Sequence, residues 1–227
     1  MQLTPVQLSG ARRGYAGDDP APREGFYATT GKRLFDIAFA AVMLVLLAPT
    51  MLLLMALAAL DGAAPLFRHK RIGRHGEVFG CLKIRSMVAD ADLRLARVLA
   101  EDPVAAAEWA CAHKLSDDPR ITRFGRFIRQ TSLDELPQLW NVLRGEMSIV
   151  GPRPIVRDEM VRYGASIGAY LQMRPGLTGP WQASGRNDMS YDERVALDVD
   201  YARSLGFVQD LKIILRTAGA VVRRTGK

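Results

Sequence analysis

One long apolar block constrains this chain more than any other feature: LFDIAFAAVMLVLLAPTMLLLMALAAL, from Leu34 to Leu60. About 20 apolar residues in helical conformation span a bilayer, so the block is long enough to cross one. Two features complicate a simple crossing. Pro49 stands at its centre, and proline removes a backbone donor and kinks a helix. Lys32 and Arg33 precede the block, while Arg68, His69, Lys70, Arg71 and Arg74 follow it, and basic flanks prefer the cytoplasmic side. Two topologies stay open on the residues alone. In one, the helix bends back at Pro49 and both ends stay inside; in the other, it spans with an ordinary proline kink.

Residues 1–31 mix Gly, Pro, Ala, Arg and Asp without periodicity and lack the order of a signal peptide, so a flexible tail is expected. The block and its flanks, 32–64, form the membrane helix, and 65–227 form the catalytic or binding domain. Within it, APLFRHKRIGRHGEVFGCLKIRSM alternates like short strands and turns. Asp90 to Trp109 reads as a helix broken near Pro103. Ser132 to Arg144 reads as a helix ended by Gly145. MSIV is a short strand, Asp192 to Leu205 a helix, and Asp210 to Arg224 a basic amphipathic helix suited to a membrane interface or to docking on a core.

The formal charge of +7 implies an anionic partner: nucleic acid, phosphate-bearing substrate or anionic lipid. Cys81 and Cys111 stand apart from one another, which fits a reducing compartment. His69, His75 and His113 share no metal-ligand spacing with them. Ser132 followed by Glu135 makes a capping box, and that alone accounts for an acidic Ser132-Leu133-Asp134-Glu135. The surroundings add another possibility. Arg120, Arg123, Arg126 and Arg129 lie upstream, Lys83 and Arg85 alternate on a predicted strand, and Arg153 is held between Pro152 and Pro154. Such cations bind phosphates, arginine through paired bonds, although a basic run is usually a solvated face or a membrane contact.

Several long motifs then occur in order: KRLFDI, KIRSM, DPRITRFGRFIRQTSLDELPQLWNVLRGEMSIVGPRP, RPGLTGPWQASGRN and DLKIILRT. Through them the chain, from Lys32 to Arg224, resembles the bacterial sugar transferases, monotopic phosphoglycosyl transferases that initiate exopolysaccharide, capsule and O-antigen synthesis. The resemblance implies Asp134 as nucleophile and Glu135 as the neighbour that holds Mg²⁺. It implies Arg153 as a phosphate ligand, with Lys83, Arg129 and Asp210 as further functional positions and Arg186 near the nucleotide. Pro49 matches the proline that breaks the family's re-entrant membrane helix. The usual serine before it is Ala48 here, and Ser204-Leu205-Gly206-Phe207 replaces a more aromatic segment.

The resemblance thus implies an α/β fold: a compact domain of short strands and helices, one N-terminal re-entrant membrane helix and interfacial amphipathic helices. It implies transfer of a hexose 1-phosphate from a UDP-sugar, UDP-galactose or UDP-glucose, to undecaprenyl phosphate, with UMP released. The site would face the cytoplasm at the bacterial inner membrane. A homo-oligomer is compatible with the sequence. Two rivals are a non-catalytic adaptor of a polysaccharide assembly complex, opposed by intact Asp134, Glu135 and Arg153, and a nucleic-acid binder, opposed by the apolar block and the lack of a nucleic-acid motif.

Overall fold

The structure, a computed structural model, describes residues 25–112, 115–184 and 189–222. Arg186 and the basic pair Arg223 and Arg224 lie outside the described residues. The chain is mostly helical, with strands confined to two small sheets among the described residues.

A helical turn at Tyr27–Gly31 leads directly into α1 (Lys32–Ala58), so ordered helix begins ahead of the expected boundary at residue 32. α1 is a single element through Pro49. Tyr27–Ala58 together make 32 helical residues, long and apolar enough to cross a membrane, and only 11% of the most apolar stretch is buried inside the molecule. The core helix of a soluble protein would be mostly covered. Here Val45 (77% exposed), Leu46, Leu52 and Leu53 present an apolar face, the kind of surface that marks lipid or partner contact.

The other face of α1 lies lengthwise on the globular part. Near its N-terminus Arg33 donates to the carbonyls of Val142 (2.6 Å) and Leu143 (2.8 Å). Asp36 accepts from the Ser148 hydroxyl at 3.0 Å and the Ile149 N–H at 2.9 Å. Ala40 is buried in the main core with Val142, Met147 and Val150. Near its C-terminus Leu54 and Ala58 pack on Ile84 and Ile128. Arg85 bonds the Ala58 carbonyl and the Asp61 carboxylate.

β1 (Leu66–Ile72) and β2 (Val78–Ile84) form the expected hairpin. Their antiparallel register sets Phe67 opposite Lys83, His69 opposite Cys81 and Arg71 opposite Phe79. Because side chains alternate along a strand, these six share one face. α2 (Ala91–Glu101) and α3 (Pro103–Ala112) are the expected helix broken at Pro103, which opens α3 where its missing N–H costs nothing. α4 (Arg123–Gln130) follows, capped by the Thr122 hydroxyl on the Gly125 N–H.

The expected helix from Ser132 to Arg144 is divided. Pro137 has no N–H to give the Leu133 carbonyl, so an α-helix cannot run through. A short 3-10 turn covers Leu133–Glu135, and α5 (Gln138–Arg144) starts after Pro137. α5 ends at Gly145 with φ 82, the left-handed closure expected of it. β3 (Ser148–Val150) pairs in parallel with β4 (Gly176–Thr178), too short a strand to leave a sequence pattern. α6 (Ile167–Leu171), α7 (Pro180–Ala183), α8 (Tyr191–Ser204) and α9 (Phe207–Val222) complete the order. α9 begins one turn earlier than expected, as the Asp210 N–H already bonds the Gly206 carbonyl at 3.0 Å.

A second core holds Ile72, Ile155, Tyr163, Ile167 and Tyr170. Beneath it lies Asp198, 2% exposed, which accepts the Tyr163 hydroxyl at 2.8 Å. Burial pushes its carboxyl up to about 7 from 3.8, against the opposing pull of that hydrogen bond. The folded chain therefore holds this proton more tightly than the unfolded chain. The group's stabilising share is full below about pH 4 and is lost as pH rises through about 7. Asp198→Asn cannot ionise and keeps an acceptor for Tyr163. Its stability relative to the unmodified protein should improve by roughly 2–3 kcal/mol between pH 5 and pH 8, read by denaturant unfolding at both pH values. A pH-independent difference would contradict the assignment.

Candidate active site

The left-handed turn at Ser132 decides what Asp134 and Glu135 can do. Ser132 has φ 56, and its side chain makes no cap hydrogen bond. The capping box expected from the sequence does not form. Glu135, freed from the helix start, turns toward the hairpin and takes the Lys83 ammonium at 2.6 Å. Asp134, 6% exposed, lies behind it with an oxygen 3.6 Å from the same ammonium.

Lys83 and Glu135 open on a cleft of about 320 Å³, mouth included, walled by four pieces of chain, with Asp134 buried behind its lining. The hairpin face gives Arg71, Cys81 and Lys83, the 3-10 turn and α5 give Glu135 and Gln138, the turn after β3 gives Arg153 and Pro154, and the β4–α7 segment gives Leu177 and Gln182.

The Arg153 turn is held by backbone bonds on every side. The Gly151 N–H reaches the Thr178 carbonyl at 3.0 Å, the Gly176 N–H reaches the Pro152 carbonyl at 2.8 Å, and the Ile72 N–H reaches the Ile155 carbonyl at 2.9 Å. A Cβ on Gly151 would collide with the Arg174 carbonyl, so only glycine allows β3 and β4 to close there. Arg71 donates to the Pro154 carbonyl at 3.0 Å. The Arg153 guanidinium lies over the Trp181 ring at 5.8 Å. A planar cation held on an aromatic face keeps its edge free for paired hydrogen bonds.

Electrostatics divide the cleft into an anionic and a cationic side. Burial raises the Asp134 carboxyl, the Lys83 ammonium opposes that rise, and the Glu135 charge adds to it. For Lys83 burial acts downward, but Glu135 and Asp134 outweigh it and hold the ammonium above the ordinary lysine range. Burial pushes the Cys81 thiol up to about 11, so it stays neutral. Burial, then the Arg71 and Lys83 charges, lower His69. Neutral His69 can accept at Nδ1 from Arg71, 3.1 Å away. Arg71 itself is lowered by burial and next by the charge of Arg153. Two guanidiniums that repel one another in a cleft are a place for an anion.

Of the residues singled out in the sequence, the structure gathers Lys83, Asp134, Glu135 and Arg153. Arg129 is not among the cleft residues; its Nε donates to the Ser86 hydroxyl at 2.8 Å and its charge acts on Asp134. Asp210 is not among the cleft residues. It is fully buried and accepts from Lys32 (2.6 Å), Tyr27 (2.7 Å) and Tyr201 (2.6 Å), which occupies its carboxylate internally. Pro49 is in α1, away from the cleft lining. Arg71, Trp181 and Gln182 went unnoticed as site residues. The alternation of His69 and Arg71 with Cys81 and Lys83 across a short Gly-containing turn is the one pattern that could have found Arg71.

Among the described residues, no group of three or more His, Cys, Asp or Glu side chains could hold a metal ion. Glu135, with Asp134 beside it, still suits Mg²⁺. That ion commonly takes one or two carboxylates and fills its octahedron with water and substrate phosphate oxygens.

Lys83→Met tests this electrostatic picture without any substrate. It leaves a buried Asp134 beside Glu135 with its nearest cation gone, and so raises Asp134 further. The stability loss relative to the unmodified protein should be roughly 1–3 kcal/mol larger at pH 8 than at pH 5, where Asp134 can take a proton. Equal losses in denaturant unfolding at the two pH values would show that Lys83 does not carry the Asp134 charge.

The sequence model described as bacterial sugar transferase matches residues 27–224. The UDP-galactose-lipid carrier transferase of Erwinia amylovora is 50% identical over 195 residues, 86% of this chain and 41% of that protein. The undecaprenyl-phosphate galactose phosphotransferase of Salmonella typhimurium is likewise 50% identical over 195 residues, again 41% of its length. The exopolysaccharide production protein ExoY of Rhizobium meliloti is 47% identical over 196 residues, 86% of this chain and 87% of that protein. The chain thus spans about two fifths of the length of the first two relatives and most of the third. With a family match that runs from the first turn of the membrane helix to the end of α9 and takes in every wall of the cleft, this chain belongs to the bacterial sugar transferase family.

Proposed function

We propose that this chain transfers a hexose 1-phosphate from a UDP-sugar to undecaprenyl phosphate in two steps, through a covalent intermediate on Asp134. The observation that carries the reading is the state of Asp134: a buried carboxylate set against Lys83 beside a cleft of arginines. The names of relatives support galactose or glucose as the sugar and undecaprenyl phosphate as the acceptor.

In the first step an Asp134 oxygen attacks the phosphorus that bears the sugar. The bond from that phosphorus to the bridging oxygen breaks, and UMP leaves with the electron pair. Asp134 then carries the phosphosugar as an acyl phosphate. In the second step an oxygen of undecaprenyl phosphate attacks the same phosphorus and the carboxylate leaves, so the diphosphate-linked sugar forms and Asp134 is regenerated.

Each group of the chain has a stated task. Lys83 opposes the rise that burial gives Asp134 and so favours the ionised form that a nucleophile requires. Arg153 and Arg71 hold phosphate oxygens by fixed hydrogen bonds while their charge redistributes. The low exposure of Asp134 shields the acyl phosphate from water. Bound at Glu135, Mg²⁺ would supply charge neutralisation of the phosphates.

The acceptor sets the location. A polyprenyl chain leaves the bilayer only at large cost, so the cleft belongs at the membrane surface. The reading places both ends of α1 on the cytoplasmic face of the bacterial inner membrane, with the bend at Pro49. It is supported by globular contacts at Arg33 and Asp36 near one end and at Leu54 and Ala58 near the other.

Purified protein given UDP-galactose and Mg²⁺ without lipid should release up to one UMP per active site and stop, and mass spectrometry should map a hexose phosphate to the peptide of Asp134. Asp134→Asn should show neither. UMP release that requires lipid, with no adduct after acid quench, would mean direct transfer and would remove the nucleophile role from Asp134.

A further inference from the structure

Gln182 is a polar group of the cleft that phosphate chemistry leaves unused. It lines the cleft beside Arg153 and Lys83, and its side-chain carbonyl oxygen is out of contact with solvent and without a hydrogen-bond partner among the described residues. A buried acceptor left open costs stability, and native structures keep few of them. The backbone around it is built to leave it there. α7 carries Gln182 one turn after β4, and the Ala183 N–H closes that turn on the Gly179 carbonyl at 2.9 Å. A Cβ on Gly179 would collide with the Gly151 carbonyl and stand 2.9 Å from the Gln182 oxygen. Glycine at 179 therefore gives the amide its room against the Arg153 turn. Neighbouring Trp181 is stacked under Arg153 and Arg194, at 5.8 Å and 4.7 Å, which fixes the α7 turn that presents Gln182.

We propose that Gln182 is a specificity-determining residue that reads a neutral hydrogen-bonding group of the donor, an inference that rests on the transfer reading above. The phosphates are excluded as its partner by chemistry. An ionised phosphate offers acceptors only, and the open atom of Gln182 is an acceptor. Its match is an O–H or an N–H. A nucleotide-sugar carries both, in the sugar hydroxyls and in the base imide, and an amide answers either with its acceptor and its adjacent donor. Arg71, Lys83 and Arg153 thus hold the charged part of the donor, and Gln182 discriminates its neutral part. A site built to hydrogen-bond a substrate hydroxyl or N–H discriminates strongly against analogues that lack it.

The test compares Gln182→Leu and Gln182→Glu with the unmodified full chain. Three quantities are measured: the KM for UDP-galactose, the Kd for UMP by calorimetry, and the melting temperature. Gln182→Leu should raise the KM roughly tenfold or more at an unchanged or higher melting temperature, because an unpaired buried acceptor has been removed. Gln182→Glu keeps the volume but sets a negative charge among phosphates, and should raise the KM further. An equal loss in UMP affinity assigns the contact to the base, and an unchanged UMP Kd assigns it to the sugar. A KM within twofold of the unmodified protein for both variants, a change confined to kcat, or a KM change that comes only with a lower melting temperature in both would overturn the role of Gln182. If the unmodified protein neither binds UMP nor releases it from UDP-galactose, the transfer reading falls and this inference falls with it.

Discussion

A buried carboxylate at the base of α9 ties the membrane helix to the rest of the molecule. Asp210 accepts from Lys32 at the head of α1, from Tyr27 in the turn before it, and from Tyr201 of α8. Removing one partner of a buried ion pair commonly costs about 3–5 kcal/mol, because the remaining charge is stranded. That cost is the physical reason α1 keeps one orientation. The orientation then passes to the cleft through Asp36, which bonds the Ser148 hydroxyl and the Ile149 N–H of β3. β3 runs straight into the Gly151–Pro154 turn that presents Arg153. The apolar helix is thus part of the structure that sets the position of the Arg153 turn.

In the proposed mechanism, two opposing requirements fall on one lysine. A nucleophilic carboxylate must stay ionised, and an acyl phosphate must stay dry. Burial serves the second and works against the first. Lys83 reconciles them, since it lies 3.6 Å from Asp134 and 2.6 Å from Glu135, and its own proton is held more firmly by both. Arg71 shares the hairpin face of Lys83, and Arg153 lines the same cleft from the turn after β3. Local backbone makes the arrangement possible: the left-handed Ser132 and the helix-interrupting Pro137 turn Asp134 and Glu135 out of a helix start and toward Lys83.

Much of this was legible in the residues. The hairpin, the break at Pro103, the Gly145 stop and the short strand after it follow from turn chemistry and period, and these are local rules. The long motifs carried Asp134, Glu135, Lys83 and Arg153 to one family, and the fold gathers them. What escaped depends on contacts far apart in sequence. Ser132 to Glu135 reads as a capping box because three-residue spacing is all the sequence shows, whereas Lys83, over 50 positions upstream, takes Glu135 instead. Asp210 matched a functional position, yet its partners Tyr27 and Lys32 come from the opposite end of the chain. β4 has three residues and no alternation to detect. Arg71 looked like one more flanking charge until the hairpin register put it on the face of Lys83.

The account stands on α1 lying along the globular part with both ends at one membrane face. A straight helix of its 27 residues would be about 40 Å long, more than the roughly 30 Å hydrocarbon core, so length alone permits a crossing. The proposed topology, with both ends at one face, is supported by contacts of one globular body near Arg33 and again near Ala58. Single cysteines at the exposed positions Thr29 and Ala64, in a background without Cys81 and Cys111, test this directly in intact spheroplasts treated with an impermeant thiol reagent. The account predicts that neither position is labelled from outside and that both are labelled once the membrane is permeabilised. Labelling of Thr29→Cys from outside, with Ala64→Cys protected, would mean that α1 spans the bilayer and would contradict it.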